Sequence, residues 1–303
     1  MFESIFSITF VFQILRITVP YALTSLGATF SERGGVVNIG LEGLLLIGAF
    51  ATTLVTFYTG QPIAGILVGI LAGITLSSLH AMASISFRVN QIVSGIAVNL
   101  FALGLTKFCC KIIFQSSSNS PRITGFELYR INALREIPII GLLIDNPFII
   151  ITVVLLMVSN VVLWKTRYGL RLRAVGENPE AAESLGLHVN RLRYYGVLLS
   201  GAFSGLGGAF LALDQHSFTD GMSAGRGYIA LAAMIVGKWT PYGAAAAALL
   251  FGVAEAIVIT WQGGSIPTQF IQMIPYLLTI VVLAGFIGKA TPPRASGIPY
   301  EKH

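Results

Sequence analysis

The sequence predicts an all-α fold, a polytopic bundle of transmembrane helices with about 8–10 spans, some of them interrupted. Of its 303 residues, 54% are hydrophobic and only 11% are charged, whereas a soluble domain carries about 25% charged residues. A membrane-spanning helix needs about 20 apolar residues, and the chain holds about eight or nine such runs. We therefore expect a single transmembrane domain over residues 1–303, embedded in a lipid membrane.

The apolar segments follow one another along the chain, and each predicts a helix. The shortest, 227–237, cannot cross a bilayer at about 1.5 Å per residue, so it is completed by Ser223–Arg226 or forms a half-helix. The predicted helices cover residues 10–30, 36–57, 63–87, 91–114, 146–164, 194–213, 227–237, 242–260 and 268–288.

Charge predicts the orientation of the bundle. The loop 165–193 carries six Lys and Arg residues, whereas the loop 115–145 carries three that are balanced by acidic residues. Because loops rich in Lys and Arg stay in the cytoplasm, the loop 165–193 is expected there. The same rule accounts for the net charge of +6, which therefore does not indicate binding to nucleic acid.

Small residues recur at a spacing of four in two of the predicted helices. This pattern lets helices approach closely in a membrane, so it predicts tight helix packing and says nothing about a substrate. The residues are Gly65, Gly69 and Gly73 in one helix, and Gly201, Gly205 and Ala209 in the other.

Two glycine-rich segments interrupt apolar runs, one in each half of the chain. The first is Glu32–Gly43 and the second is Asp220–Gly227. Paired interruptions in two halves are typical of transporters whose binding site lies near the middle of the membrane.

Glu42 lies in an apolar helix, with Asn38 one turn earlier on the same face. A carboxylate inside a membrane is costly unless it is paired or hydrated, and such residues often have a function. Three interpretations stay open: the pair lines a site for a hydroxylated substrate, it clamps the interrupted helix, or neighbouring backbone amides satisfy Glu42.

Two further polar positions lie deep in predicted helices. Asn99 follows Gln91 on a polar stripe and either bonds across helices or contacts a ligand. Glu255 lies at the centre of its helix, and Arg226 or Lys238 could pair with it.

The basic loop contains a short helical signal. Asn178 suits the N-cap, Pro179 the first helical position, Glu180 the positive end of the helix dipole, and Gly186 the position after the end. Ala181, Ala182 and Leu185 are expected to share one face. A capped helix on a basic loop of a membrane protein favours docking to a soluble partner.

The sequence lacks the motifs that would indicate catalysis. It has no G-x-x-x-x-G-K-[ST] run to hold ATP phosphates, no H-E-x-x-H and no cysteine–histidine spacing for a metal. We therefore expect no enzymatic activity, no metal site and no cofactor bound by this chain.

Three stretches and the closing Pro299–Glu301 together resemble the permease subunits of bacterial ABC importers. The resemblance is to the nucleoside or simple-sugar subgroup of the family of branched-chain amino acid and ribose-type permeases. The stretches are Ser31–Gly43, Arg173–Ala182 and Gly227–Trp239.

The resemblance implies several partners. Family permeases form dimers, in this subgroup with a longer second permease. A cytoplasmic ATPase that binds ATP-Mg drives them, and an extracytoplasmic lipoprotein delivers the nucleoside. The GENPEAA pattern of the family falls on Gly176, Glu177, Asn178, Pro179, Glu180, Ala181 and Ala182 here, which implies that the loop 165–193 carries the helix that couples to the ATPase.

The expected function is therefore a permease subunit of an ATP-driven importer in the bacterial inner membrane, with nucleosides as the expected substrates. Asn38, Glu42 and Asn99 are the candidate substrate-binding residues, and residues 176–182 with Leu185 form the candidate coupling segment. The alternatives are a secondary transporter or channel that needs no ATP, and an importer of simple sugars such as ribose.

Overall fold

The computed structural model describes residues 8–125, 146–261 and 291–301, together with positions 273, 277, 280 and 281. Within these ranges the fold is helical, and its one β-bridge joins Asn119 to Thr219. Seven of the described helices are long and apolar enough to cross a membrane, and an eighth apolar helix is shorter. The predicted all-α transmembrane bundle is therefore confirmed. The helix predicted at 268–288 lies outside the continuous described ranges.

Ten helices follow one another in the described residues, and most of the predicted helix bounds agree with them to within about three residues. A π-helical turn, Met82–Ser86, extends the third of them. The helices are α1 Ile8–Arg33, α2 Leu41–Thr59, α3 Pro62–Ala81, α4 Gln91–Phe114, α5 Pro147–Lys165, α6 Arg167–Glu177, α7 Pro179–Ser184, α8 Val189–Gln215, α9 Arg226–Val236 and α10 Pro241–Trp261.

Helix α2 begins at Leu41, five residues later than predicted. The chain leaves the helical path at Gly34, and Gly35 adopts φ +87°, a conformation open to glycine. The Asn38 side chain then accepts a hydrogen bond from the Gly40 amide at 3.0 Å. An Asn that bonds its own backbone two residues later favours a turn over a helix, which explains the late start.

The loop 165–193 contains more helix than predicted. Helix α6 precedes the expected short helix α7, and α8 begins at Val189 instead of residue 194. Thr166 caps α6 by accepting a hydrogen bond from the Gly169 amide at 3.2 Å.

Helix α8 is the central helix of the bundle and packs against α1, α2 and α3. Small residues bring these helices together, as the sequence predicted. A Cβ atom added at Gly73 would lie 2.2 Å from the Gly201 carbonyl oxygen, and one at Gly48 would lie 2.6 Å from the Gly205 oxygen. In contrast, α4 and α5 expose large apolar side chains such as Phe108 and Met157, as helices do at a lipid-facing surface.

The two ends of the bundle differ in charge. We call one the basic end: it carries Arg33, the helices α6 and α7, and the C-terminal segment 291–301. Arg33 donates to the carbonyl of Trp239 at 2.7 Å, and the Ala295 amide donates to the carbonyl of Gly176 at 2.9 Å, so these segments lie together. The opposite end carries the Arg16–Asp214 ion pair at 2.8 Å.

Candidate functional site

The two interrupted segments meet inside the bundle. Residues 34–40 lead from the basic end to the start of α2, and residues 216–225 lead from the opposite end to the start of α9. The Glu42 carboxylate joins them: one oxygen accepts from the Gly225 amide at 2.6 Å and the other from the Gly227 amide at 2.7 Å. We call this arrangement the Glu42 clamp.

The Glu42 clamp lies between the N-termini of two helices. Glu42 lies in the first turn of α2, and the amides that it binds belong to Gly225, the N-cap of α9, and to Gly227 in its first turn. Helix N-termini carry a partial positive charge and unpaired N–H groups, so one carboxylate here stabilises two helix ends. Gly227 is required by the close approach, since a Cβ atom there would lie 2.4 Å from the Glu42 nitrogen.

Asn38 and Asn99 lie beside the Glu42 clamp, so the structure brings the three predicted site residues together. Asn38 is 1% exposed and donates to the Ser200 hydroxyl at 3.1 Å. Asn99 accepts from the Gly43 amide at 2.7 Å and donates to the Ile39 carbonyl at 2.9 Å and to the Tyr228 hydroxyl at 3.1 Å. The amide groups of both residues therefore have protein partners on the interrupted segments.

Two side chains that the sequence did not single out as site residues also hold the first interruption. The Gln91 carbonyl oxygen accepts from the Val37 amide at 2.6 Å. His80 is buried, and its ring nitrogens lie 3.0 Å from the Ser94 hydroxyl and 3.1 Å from the Val37 carbonyl oxygen. An extended segment inside a membrane needs such partners because its backbone cannot bond to water there.

A second polar cluster lies at the start of α9. The Arg226 guanidinium pairs with the Glu255 carboxylate at 3.0 Å, and the Tyr21 hydroxyl donates to the same carboxylate. Of the two possible partners predicted for Glu255, Arg226 is thus the correct one. Lys238 lies at the basic end, where its carbonyl accepts from Arg33 at 3.2 Å.

This cluster forms part of the wall of a cavity of about 650 Å³ between α1, α5, α8 and α10. Its size falls within the usual range of about 300–1,000 Å³ for small-molecule sites. The sequence left two interpretations for Asp214 and His216, which follow the predicted span 194–213: a pair at the outer mouth or a solvated pair in a loop. The structure places both residues, together with Arg16, in the wall of this cavity. Its polar lining includes Gln13, Arg16, Asp214, His216, Arg226 and Glu255.

The predicted capped helix of the basic loop is confirmed as α7. The Asn178 side chain accepts from the Ala181 amide at 3.0 Å, Pro179 opens the helix, and Gly186 adopts φ +81° after its end. Glu180 lies exposed in the first turn of α7.

The predicted shared face of Ala181, Ala182 and Leu185 is wrong. Helix α7 ends at Ser184, so Leu185 lies beyond the helical periodicity. Ala182 is 3% exposed whereas Leu185 is 82% exposed, and Ala181 is also on the surface. Leu185 is therefore an apolar side chain that projects from the basic end.

Gly176 brings the candidate coupling segment against the first interruption. Gly176 is buried, and a Cβ atom there would lie 2.2 Å from the Arg33 carbonyl oxygen. Glu177 is exposed at the end of α6. The candidate coupling segment thus contacts the backbone that leads, through residues 34–40, to the Glu42 clamp.

Among the residues that the structure describes, no three His, Cys, Asp or Glu side chains lie close enough to hold a metal ion. The polar groups described above are suited to hydrogen bonding and ion pairing.

Comparison with known proteins identifies a family. Residues 10–283 match the family described as the permease component of the branched-chain amino acid transport system. The guanosine ABC transporter permease NupQ of Bacillus subtilis is 44% identical, over 96% of this chain and 98% of its own length. The nucleoside ABC transporter permease NupC of Lactococcus lactis is 42% identical, over 96% of each chain.

The same two bacteria each have a less similar relative. The guanosine ABC transporter permease NupP of Bacillus subtilis is 26% identical, and this chain covers 82% of its length. The nucleoside ABC transporter permease NupB of Lactococcus lactis is 25% identical, and this chain covers 80% of its length. Among solved structures, an inward-facing metal-chelate type ABC transporter has a TM-score of 0.50 at 16% identity, covering 90% of this chain and 84% of that one. That likeness supports the shared fold.

Proposed function

The chain belongs to the permease-component family of branched-chain amino acid transport systems, and from this premise we propose that it carries nucleosides through the membrane as one subunit of an ATP-driven importer. As an ABC transporter permease it is a multi-pass protein of the inner membrane. This membership supports an ATP-driven importer over the alternative of a secondary transporter or channel that needs no ATP.

The observation that carries the nucleoside assignment is its similarity to NupQ and NupC over nearly the whole of each chain. Residues 10–283 match the family, so the proposed coupling segment and the whole cavity lining except Thr9 lie inside the region shared with the family. Simple sugars such as ribose are the competing substrate class, and the transport assay described below separates the two.

The proposed complex contains four kinds of subunit. The single permease domain, residues 1–303, pairs with a second permease, as the two relatives found in each bacterium support. A cytoplasmic ATPase binds ATP-Mg and hydrolyses it, while the permease itself is not an enzyme. An extracytoplasmic lipoprotein delivers the substrate to the opposite end of the bundle.

The ATPase would engage the permease at residues 176–182 and Leu185. The capped helix α7 projects from the basic end, and the exposed Leu185 offers an apolar contact beside it. Movement of this segment reaches the interior through the contact between Gly176 and the backbone at Arg33.

For Asn38, Glu42 and Asn99 we propose an indirect role in transport. Their hydrogen bonds to the two interrupted segments would have to break before they could contact a substrate. Arg226 and Glu255 line the cavity and are the better placed to meet ribose hydroxyls or a base. In this proposal Asn38, Glu42 and Asn99 hold the two interrupted segments in place, and Arg226 and Glu255 face the substrate in the cavity.

Reconstitution of the complex in proteoliposomes tests the function. With the ATPase, the second permease and the lipoprotein present, ATP should drive uptake of radiolabelled guanosine, and unlabelled adenosine should compete while ribose should not. An ATPase variant without its phosphate-binding lysine is the control and should abolish uptake. Uptake by the permease alone, or competition by ribose instead of adenosine, would contradict the proposal.

A further inference from the structure

The C-terminal segment Ala295–Glu301, which we call the tail strap, lies across the basic end and contacts parts of the chain that are far apart in sequence. The Ala295 amide donates to the Gly176 carbonyl at 2.9 Å, next to the start of α7. The Ile298 carbonyl accepts from the Arg193 guanidinium at 3.1 Å, and Glu301 pairs with Arg88 at 2.7 Å. The strap therefore joins α6, α8 and the turn before α4.

Helix α7 depends on the tail strap for its position. It has six residues, and isolated helices shorter than about 12–15 residues are marginal in water. Its buried side chain, Ala182, packs in an apolar cluster with Val175, Val189 and Tyr300. Tyr300 also donates a hydrogen bond to Glu183 on α7. A residue of the strap thus supplies one wall of the pocket that holds α7.

The Tyr300 contact is insensitive to pH in the physiological range. Burial, together with the hydrogen bond to the Glu183 carboxylate, raises the pKa of Tyr300 to about 12. The hydroxyl therefore keeps its proton and remains a donor under the conditions in which a transporter works.

The strap also holds α8 through Arg193. This side chain is 2% exposed, and its guanidinium lies 5.8 Å from the centre of the Tyr300 ring. A buried cation requires partners, and the strap supplies both a carbonyl oxygen and an aromatic face. Because α8 is the central helix of the bundle, the same tyrosine contacts the coupling segment on one side and the core of the permease on the other.

We propose that the tail strap transmits movement of α7 to α8 and to the turn before α4, as a second route beside the Gly176–Arg33 contact, with Tyr300 as its positioning residue. The inference rests on the proposed docking of the ATPase at α7. A short helix attached by its two ends would rotate in place when pushed. A helix fixed on Tyr300 moves as one body with Arg193 and with the residues bonded to the strap.

The test uses the whole complex in proteoliposomes and measures the guanosine taken up per ATP hydrolysed. Tyr300→Ala should lower this ratio by about fivefold or more, as the loss of a typical coupling free energy would. The ratio is measured on the complexes that retain the ATPase, so a weaker docking of α7 does not change it. Tyr300→Phe keeps the ring against Arg193 and Ala182 and should give a smaller loss. Ile298→Ala is the matched control, because it removes an exposed side chain and leaves the carbonyl that binds Arg193.

A double-mutant cycle separates transmission through this contact from a general loss of stability. Tyr300→Phe and Glu183→Ala each remove the same hydrogen bond, so the double variant should lower the ratio no further than the stronger single variant. The thermal stability of the four proteins is measured in parallel and should vary much less than the ratio. Additive losses, or losses that follow the melting temperature, would overturn the inference.

The two proposals fail in different ways. If the wild-type complex takes up no guanosine or the ATPase does not bind the permease, the proposed function is wrong. If the wild-type complex works and Tyr300→Ala has the wild-type ratio, the proposed function stands and the tail strap has no role in transmission.

Discussion

The carboxylate of Glu42 lies where the N-termini of α2 and α9 meet, and each of its oxygens accepts a backbone hydrogen bond. An isolated carboxylate in this position would be expelled from the membrane interior by its desolvation cost. Here the charge is offset by two helix ends and by N–H groups that would otherwise lack partners. At the residue scale, the same contact satisfies the carboxylate and holds the two interrupted segments together.

Replacing this carboxylate tests the Glu42 clamp. In Glu42→Gln an amide NH₂ group replaces one acceptor oxygen and faces a backbone N–H, so one of the two hydrogen bonds is lost. A hydrogen bond to a charged group contributes about 1.5–3 kcal/mol. We expect a lower melting temperature in detergent and a lower maximal uptake rate, with little change in the KM for guanosine.

Gln61→Glu is a suitable control because it changes charge at an exposed position in the turn between α2 and α3. A raised KM with unchanged stability in Glu42→Gln would show instead that Glu42 contacts the substrate directly.

At the scale of helices, close packing depends on glycines that face a neighbouring backbone. The Cβ position of Gly73 lies 2.2 Å from the Gly201 carbonyl oxygen, so α3 and α8 touch backbone to backbone. Without a hydrophobic effect between helices in lipid, such contacts supply much of the association energy.

Gly73→Ala should separate α3 from α8 and lower both the expression and the melting temperature of the permease. Gly104→Ala is the matched control, since Gly104 also lies in a spanning helix but has no atom within 4 Å of its Cβ position. Fluorescence-detected gel filtration across a temperature series would compare the two. Equal stability of both variants would contradict the packing argument.

The proposed docking of the ATPase at the coupling segment can be tested with substitutions at exposed positions. Leu185 is 82% exposed, so Leu185→Asp should leave the fold intact and weaken co-purification with the ATPase by placing a charge in an apolar contact. His188→Asp adds the same charge at another exposed position of the loop and should retain the ATPase. Equal retention of the ATPase by both variants would remove Leu185 from the docking surface.

At the scale of the whole molecule, the bundle has a basic end, a polar layer at the two interruptions, and an opposite end with the cavity. Helices α2 and α9 begin in the polar layer, so the two interrupted segments approach it from opposite ends of the bundle. An ATPase at one end and a substrate at the other could then act on the same polar layer.

The predicted orientation can be tested in intact cells with a membrane-impermeant maleimide. Gln61→Cys lies at the end opposite the basic loop and should react, whereas Leu185→Cys should react only after the cells are opened. The unsubstituted chain, with Cys109 and Cys110, gives the background. Labelling of Leu185→Cys from outside would show that the predicted orientation is wrong and that the candidate coupling segment does not lie in the cytoplasm.

Much of this architecture could be predicted because its causes are local in the chain. Apolar runs, the cap at Asn178 and the glycines of the two interruptions act within a few residues, so their effects can be read from short windows of sequence. Two wrong predictions also have local causes. Helix α2 starts later than predicted because of the turn at Asn38, and the predicted shared face of α7 is wrong because the helix ends at Ser184.

The partners of the buried charges were decided only by the tertiary structure. Glu42 bonds to amides 183 and 185 residues away, and Tyr300 reaches Glu183 across 117 residues. The sequence determined by itself that this chain is a membrane bundle with interrupted helices and a capped basic loop, because hydrophobicity and capping depend on neighbours in the chain. Which polar groups would meet depended on how close the glycine contacts allow the helices to pack, and that is a property of the folded bundle.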